Sequence, residues 1–190
     1  MNKGRLEAFS DGVLAVVITI MVLELKAPHG ETLSALGPLG MGFLAYVLSF
    51  VYVGIYWNNH HHLLHTVKHV TGSMMWANLF LLFWISLFPF FTAWAGQVPQ
   101  APWPTALYGV DLLAAALSWL LLQREIIRGG GSLRKAIGAD LKGKVSAGLY
   151  AVGIGLAFVR TWMADIAYVA VAALWVVPDR RIERTLEGGD

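Results

Sequence analysis

The chain contains no cysteine and few charged residues. Charged residues make up 14% of its 190 residues and hydrophobic residues 57%, whereas soluble domains contain about 25% charged residues. The absence of thiols excludes disulfides, thiol catalysis and metal sites with cysteine ligands. The mean hydropathy is +0.60, and apolar stretches that approach the ~20 residues needed to cross a bilayer recur along the sequence. The composition therefore indicates an all-α integral membrane protein with several spans.

The apolar stretches predict six transmembrane helices. The last two come from dividing residues 145–177, because this stretch is too long for one helix that rises ~1.5 Å per residue through a ~30 Å hydrocarbon core. Arg160 and Asp165 mark the predicted turn between these two helices. The predicted spans cover approximately residues 6–25, 36–62, 72–96, 105–127, 141–159 and 161–177.

Lysine and arginine are distributed unevenly between the two sides of the predicted membrane region. If the N-terminus lies inside, all but two of the 14 Lys and Arg residues are on the inner side, and the exceptions are Lys26 and Arg160. Cytoplasmic loops carry such an excess of positive charge. We therefore expect both termini to be cytoplasmic, in the cell membrane. Residues 1–178 would form a six-helix transmembrane domain and residues 179–190 a short cytoplasmic tail.

The first predicted helix carries an apolar stripe that includes one hydroxyl. At about 100° per residue, a single face of this helix holds Gly12, Val16, Thr19, Ile20 and Leu23. Such a stripe is also typical of a buried helix in a bundle. Asp11 points away from the stripe, and a carboxylate inside the membrane costs roughly 2.5–3.5 kcal/mol near the centre and needs a partner. We predict that Ser10 and Asp11 tie the foot of this helix to its neighbours.

Three motifs resemble the transmembrane protein 175 family of potassium channels. In the first, Arg5 is followed after three residues by Phe9-Ser10-Asp11, and a threonine lies eight residues after the aspartate. The other two are "WNNHH" at residues 57–61 and "SLFPF" at residues 86–90. The resemblance covers the first three spans, while the last three match only in hydropathy and number.

The resemblance implies a homotetramer in which the first helix of each subunit lines a central pore. Counted from Phe9, Val16 would form the narrowest inner ring, and Ile20 and Leu23 the next rings outward. Thr19 would be the hydroxyl layer associated with cation selectivity. The implied activity is passive conduction of potassium, which is the conducted ion, and the family resemblance implies no cofactor.

The resemblance also implies a structural network around the first helix. It assigns Trp57, His60 and His61 to packing and hydrogen bonding against that helix. Together with the motif of the first span, the implied network contains Arg5, Phe9, Ser10, Asp11, Trp57, His60 and His61.

The residue types of the implied pore agree with modest selectivity. The sequence contains no Thr-Val-Gly-Tyr-Gly run, so a filter of backbone carbonyls of the usual potassium-channel kind is absent. A pore lined by Val, Ile and Leu must restrict flow by narrowness and dewetting. Glu24 ends the first helix on the outer side, where four copies could form a ring that concentrates cations. The alternative is a solvated helix-end charge paired with Lys26.

Five of the six histidines lie between residues 60 and 69. His61, His65 and His69 recur every four residues, so one helix face could present three imidazoles to zinc or haem, or act as a proton relay or pH sensor. The segment contains no acidic residue that would complete a metal site. We therefore favour a polar helix end at the cytoplasmic interface, with rings hydrogen-bonded to the backbone and to carboxylates.

Two other classes of function remain as alternatives to a channel. A secondary transporter or proton-coupled carrier would favour inverted repeats and spans broken at mid-membrane, but no internal repeat is visible in the sequence. A membrane metal or haem protein would use the histidines of residues 60–69.

Catalysis is not indicated by the sequence. It contains no glycine loop that would bind phosphate and no nucleophile elbow, so we do not expect an enzyme. The basic inner loops need no nucleic acid to explain them, and the expected partners are further copies of the chain and the lipid bilayer. Asp111 and Asp165 lie near the outer side, where they could pair with Arg160.

Overall fold

The computed structural model describes residues 2–28, 30–67, 69–130 and 140–176, and the regular elements in these ranges are helices. A 3-10 helix at Leu33–Leu39 leads into the second α-helix. The α-helices are α1 (Lys3–Leu23), α2 (Gly40–His65), α3 (Gly72–Ser86), α4 (Phe88–Gln97), α5 (Pro102–Arg128), α6 (Leu141–Ala157) and α7 (Thr161–Val176). The predicted tail at residues 179–190 lies outside the described residues.

The six predicted spans are confirmed to within about one helical turn. The first four correspond to α1, to the 3-10 helix with α2, to α3 with α4, and to α5, and each is long and apolar enough to cross a membrane. The last two are α6 and α7, which are shorter, with 17 and 16 residues. The chain turns between Ala157 and Thr161, so the predicted division at Arg160 is correct.

The third span is broken at Leu87. Proline has no backbone N–H and its ring clashes with the carbonyl four residues earlier, but it is tolerated in the first turn of a helix. Pro89 lies in the first turn of α4, and the N–H of Leu87 closes α3 with a 3.0 Å bond to the carbonyl of Trp84. The motif "SLFPF" is therefore the joint between two helices of one span.

The helix α5 is the centre of the subunit, and α1 lies at its edge. α5 packs against α3, α4, α6 and α7, whereas α1 packs against α2, α3 and α4. In the apolar stretch of α5, 56% of the residues are buried, compared with 28% in α1. One face of α1 therefore holds the helix on the subunit, and the rest is left uncovered by the chain's own helices.

The predicted ion pairs of Arg160 are not present. Among the described residues the salt bridge joins Arg128 to Glu125 at 2.6 Å, and neither Asp111 nor Asp165 lies within ion-pair distance of Arg160. Asp111 is fully buried in the middle of α5, whereas Arg160 is exposed in the turn between α6 and α7. The pairing of Glu24 with Lys26 is likewise absent from the described part of the chain.

Candidate functional site

The predicted stripe lies on the face of α1 that points away from the subunit core. Val16, Ile20 and Leu23 are 54%, 42% and 78% exposed, and Thr19 between them is exposed as well. The opposite face packs into the core through Leu6, Leu14, Val17 and Met21. Since α1 is an apolar helix in a membrane protein, this uncovered face meets either lipid or another copy of the chain.

The Thr19 hydroxyl donates its hydrogen to the backbone carbonyl of Val16 at 2.8 Å. This bond from a hydroxyl to a carbonyl of the preceding turn satisfies the donor within the helix. The two lone pairs of the oxygen stay available as acceptors. The exposed stripe therefore presents one hydroxyl oxygen among apolar side chains.

A buried chain of hydrogen bonds fixes the N-terminal half of α1 to two other helices. The Ser10 hydroxyl donates to the carbonyl of Leu6 at 2.9 Å and accepts a hydrogen bond from the Asn78 amide nitrogen at 2.9 Å. The Asn78 amide oxygen accepts from His60 Nε2 at 2.7 Å. Because an amide oxygen carries no hydrogen, His60 must hold a proton on Nε2.

Each member of this chain is almost fully shielded from solvent. Ser10 and Asn78 are 0% exposed and His60 is 2% exposed. A buried polar group without a partner costs about 1–3 kcal/mol. Removing any one of the three side chains would therefore leave a neighbour without its partner. The bonds join α1, α3 and α2 and determine which face of α1 remains uncovered.

Asn78 was not among the residues that the sequence motifs singled out. Its visible signal is an amide in the otherwise apolar helix α3, whose sequence is GSMMWANLFLLFWIS. An intramembrane polar side chain needs an internal partner. That signal identifies Asn78 as important, although it does not name Ser10 and His60 as its partners.

The other motif residues are not part of these buried hydrogen bonds. Phe9 and Trp57 are each 51% exposed, and Arg5 and Asp11 are also exposed on the single chain. Asp11 interacts electrostatically with His60. Within the described residues no salt bridge joins Asp11 to Arg5, so the role of these four residues stays a prediction.

His61 faces a different direction from His60. Its ring lies 4.5 Å from the ring of His65 and 5.7 Å from that of His62, measured between centroids. Near this histidine surface the Lys3 ammonium donates to the carbonyl of His65 at 3.2 Å. The ends of α1 and α2 are therefore adjacent on one side of the membrane.

The C-terminal end of α1 borders a groove formed with α4. Glu24 follows the last turn of α1, where its backbone N–H closes the helix on the carbonyl of Ile20. Ile20 and Glu24 share the groove with Phe90 and Trp94 of α4. The predicted outer carboxylate is therefore exposed at the end of the stripe.

Comparison with known proteins identifies the family. The family model described as endosomal/lysosomal potassium channel TMEM175 matches residues 5–89, which contain the first two motifs and all but the last residue of the third. A potassium channel of Chryseobacterium sp. (strain P1-3) is 51% identical over 190 residues, covering 98% of this chain and 99% of that protein. The chain belongs to the TMEM175 family. The resemblance inferred from the motifs is confirmed.

The likeness to TMEM175 proteins extends to the last three spans. The crystal structure of a lysosomal potassium-selective channel TMEM175 homolog from Chamaesiphon minutus matches with a TM-score of 0.81 and 29% identity, covering 93% of this chain and 97% of that chain. A protein of Mus musculus described as an endosomal/lysosomal proton channel TMEM175 is 36% identical over 101 residues, which are 47% of this chain and 20% of that protein.

Proposed function

We propose that this TMEM175 family member is a passive, modestly potassium-selective channel whose pore is lined by α1. The observation that carries the proposal is the exposed stripe of Val16, Thr19, Ile20 and Leu23 on a helix whose other face is anchored. Two bacterial relatives that resemble this chain over nearly its whole length are described as potassium channels. Together they support conduction rather than catalysis.

The functional unit in this proposal is a homotetramer. A single helix cannot enclose a path for ions, so several copies of α1 must meet around one axis. The uncovered face of α1 supports such a meeting, because it is continuous from Val16 to Leu23. Four copies would bring Val16, Ile20 and Leu23 into successive apolar rings, with the Thr19 hydroxyls between the first two.

In the assembled pore the apolar rings limit conduction and the hydroxyls influence selectivity. Apolar constrictions gate by expelling water, so the Val16 ring would form the narrowest dry segment. The Thr19 oxygens, whose lone pairs are free of the intrahelical bond, would partly replace water around a dehydrated cation. A single hydroxyl layer offers few ligands, and selectivity built this way is modest.

The protein is proposed to lie in the cell membrane with its N-terminus in the cytoplasm. The distribution of Lys and Arg supports this orientation. The bond from Lys3 to the carbonyl of His65 brings one basic residue to the inner ends of α1 and α2. Glu24 would then lie at the outer mouth of the pore.

Two alternatives predict different ion fluxes. A secondary transporter would couple potassium movement to another gradient, and a proton pathway would agree with the description of the mouse relative, although that match spans one fifth of the mouse protein. The full-length likeness to bacterial potassium channels favours passive potassium flux over both.

Ion flux from liposomes containing the purified protein tests the function. Potassium, caesium, sodium and protons should be compared under single-ion gradients, with protein-free liposomes and the V16W variant as controls. We expect potassium efflux that exceeds sodium efflux, needs no second gradient and is blocked by V16W. Flux that requires a counter-gradient, or that is carried by protons alone, would contradict the proposal.

A further inference from the structure

The geometry points to a zinc site formed by Glu7 of α1 with His61 and His65 of α2. One ligand atom from each of these residues lies within 4.8 Å of the other two. The set contains two imidazoles and one carboxylate from two different helices. We propose that it binds a divalent transition-metal ion of the zinc type and joins the inner ends of α1 and α2. The bound ion would have a structural role, because it would link the two helices.

The two histidines are already arranged as a pair on α2. His61 and His65 are four residues apart, which is within the spacing found in zinc sites, and their ring centroids lie 4.5 Å apart at an interplanar angle of 69°. Both side chains are exposed, so both rings can rotate toward a shared ion. The sequence segment lacks the acidic residue that such a pair needs, but the fold supplies Glu7 from α1.

A second observation concerns Glu7 and does not depend on the sequence spacing of the two histidines. Its oxygen Oε1 is shielded from solvent and accepts no hydrogen bond from the described residues. A buried carboxylate oxygen without a partner is unfavourable. A metal ion bound by the Glu7 carboxylate and the two imidazoles would reduce that cost, because it places a positive charge beside the carboxylate.

The ligand types favour zinc over magnesium or calcium. Zinc accepts imidazole nitrogen and carboxylate oxygen in tetrahedral sites, with bonds of about 2.0–2.2 Å, whereas magnesium and calcium prefer oxygen ligands alone. Tetrahedral bonds of that length separate the ligand atoms by roughly 3.4 Å. The set must therefore contract from its present spread, which rotation of the exposed imidazoles can provide.

Three protein ligands leave one coordination position for water or another donor. Lys3 lies close to the set, since its ammonium donates to the carbonyl of His65 at 3.2 Å. The ammonium is held on the backbone and does not occupy an imidazole nitrogen. A bound ion would add a second link between the helices that the Lys3 bond already brings together.

Zinc binding to the purified full chain, carrying no polyhistidine tag, tests the site. Binding should be measured by calorimetry and by metal content after dialysis, and Co²⁺ should give the visible absorption of a tetrahedral site. We expect one zinc per subunit. E7Q and H65N should each weaken binding roughly tenfold or more. H62N and E31Q are the matched controls, and neither should alter zinc binding. His62 lies beside the three proposed ligands without being one of them, and Glu31 is exposed in the loop before α2.

Thermal unfolding shows whether the ion joins the two helices. A ligand that binds only the folded state raises the unfolding temperature, so zinc should raise it for the wild-type chain and not for E7Q. Unchanged zinc affinity in E7Q would overturn the proposal, because the site would then consist of α2 histidines alone. Absence of stoichiometric binding to the wild-type chain, or an equal loss in H62N, would also overturn it. These measurements do not depend on ion flux, so they test the zinc site independently of the channel proposal.

Discussion

The side chain of Asn78 connects Ser10 to His60, because its amide nitrogen donates to the serine hydroxyl at 2.9 Å while its oxygen accepts from the imidazole at 2.7 Å. Replacing Asn78 by Leu removes both bonds and leaves two buried polar groups without this partner. We expect N78L to lose about 1–3 kcal/mol of stability for each group left unsatisfied. Thermal unfolding in detergent measures the change.

The matched control for this prediction is N59L. Asn59 is 5% exposed, and its amide donates to the carbonyl of Ile55 within the same helix. The bond joins no second helix, so N59L should cost less than N78L. Equal losses in the two variants would mean that bonding between helices contributes nothing beyond burial of an amide.

Ser10 and Asp11 are adjacent in sequence but should affect different levels of structure. Ser10 is buried within the subunit, whereas Asp11 is exposed on it. We expect S10A to lower the unfolding temperature of the chain. D11A should instead weaken assembly, because the partner that an intramembrane carboxylate requires would come from a neighbouring copy.

The mass of the detergent-solubilised variants separates these two outcomes. Wild-type protein should have the mass of a tetramer, S10A should remain tetrameric with reduced thermal stability, and D11A should shift toward smaller species. A D11A protein that is tetrameric but has a changed ion preference would show that Asp11 acts in the pore.

Val16 should control resting conductance if it forms the narrowest ring. The V16N substitution introduces polar side chains that hydrate the ring, so we expect faster potassium efflux from liposomes than with the wild-type protein. Val17 is unsuitable as the control because it is 3% exposed and packs in the core. Val22 is on the same helix and 47% exposed. Equal effects of V16N and V22N would identify the stripe as an ordinary surface.

Thr19 should influence the preference for potassium over sodium. T19V keeps the shape of the side chain and removes the oxygen that bonds to the carbonyl of Val16. We expect the ratio of potassium to sodium flux to fall while the assembly remains intact. T19S, which retains the hydroxyl, should preserve the ratio; a similar fall in T19S would attribute the effect to the missing methyl group.

Gly109 should not tolerate a larger residue, because α5 and α7 approach closely there. A Cβ atom added to Gly109 would lie 2.0 Å from the Tyr168 hydroxyl oxygen, which donates to the carbonyl of Thr105 at 3.2 Å. We expect G109A to destabilise the chain by about 1–3 kcal/mol, the usual cost of overpacking. In G148A nothing lies within 4 Å of the new Cβ, so higher helix propensity should leave that variant equally or more stable. Thermal unfolding of both variants tests the contrast.

The spans could be predicted from sequence because hydropathy and length are local properties. The same holds for the stripe, since Val16, Thr19 and Ile20 share a face through helical periodicity alone. Even the division near Arg160 follows from the limited thickness of a bilayer. These predictions needed no knowledge of which helices are neighbours.

The contacts between helices could not be predicted in the same way. Asn78 has partners 68 and 18 positions away in the chain, and no spacing rule relates such residues. Glu7 meets His61 and His65 for the same reason, through the packing of α1 on α2. Conversely, Asp111 and Arg160 have opposite charges and similar predicted depth, but one points into the core and the other to the surface.

The joint at Leu87 divides the third span into two helices with different surroundings. The backbone hydrogen bonding of the third span is interrupted before Pro89. Leu87 is therefore both the last capping residue of α3 and the first capping residue of α4. The helix α3 carries Asn78, and α4 borders Glu24. A substitution on the exposed face of α4 can therefore reshape the groove beside Glu24 without touching the buried hydrogen bonds that Asn78 makes from α3.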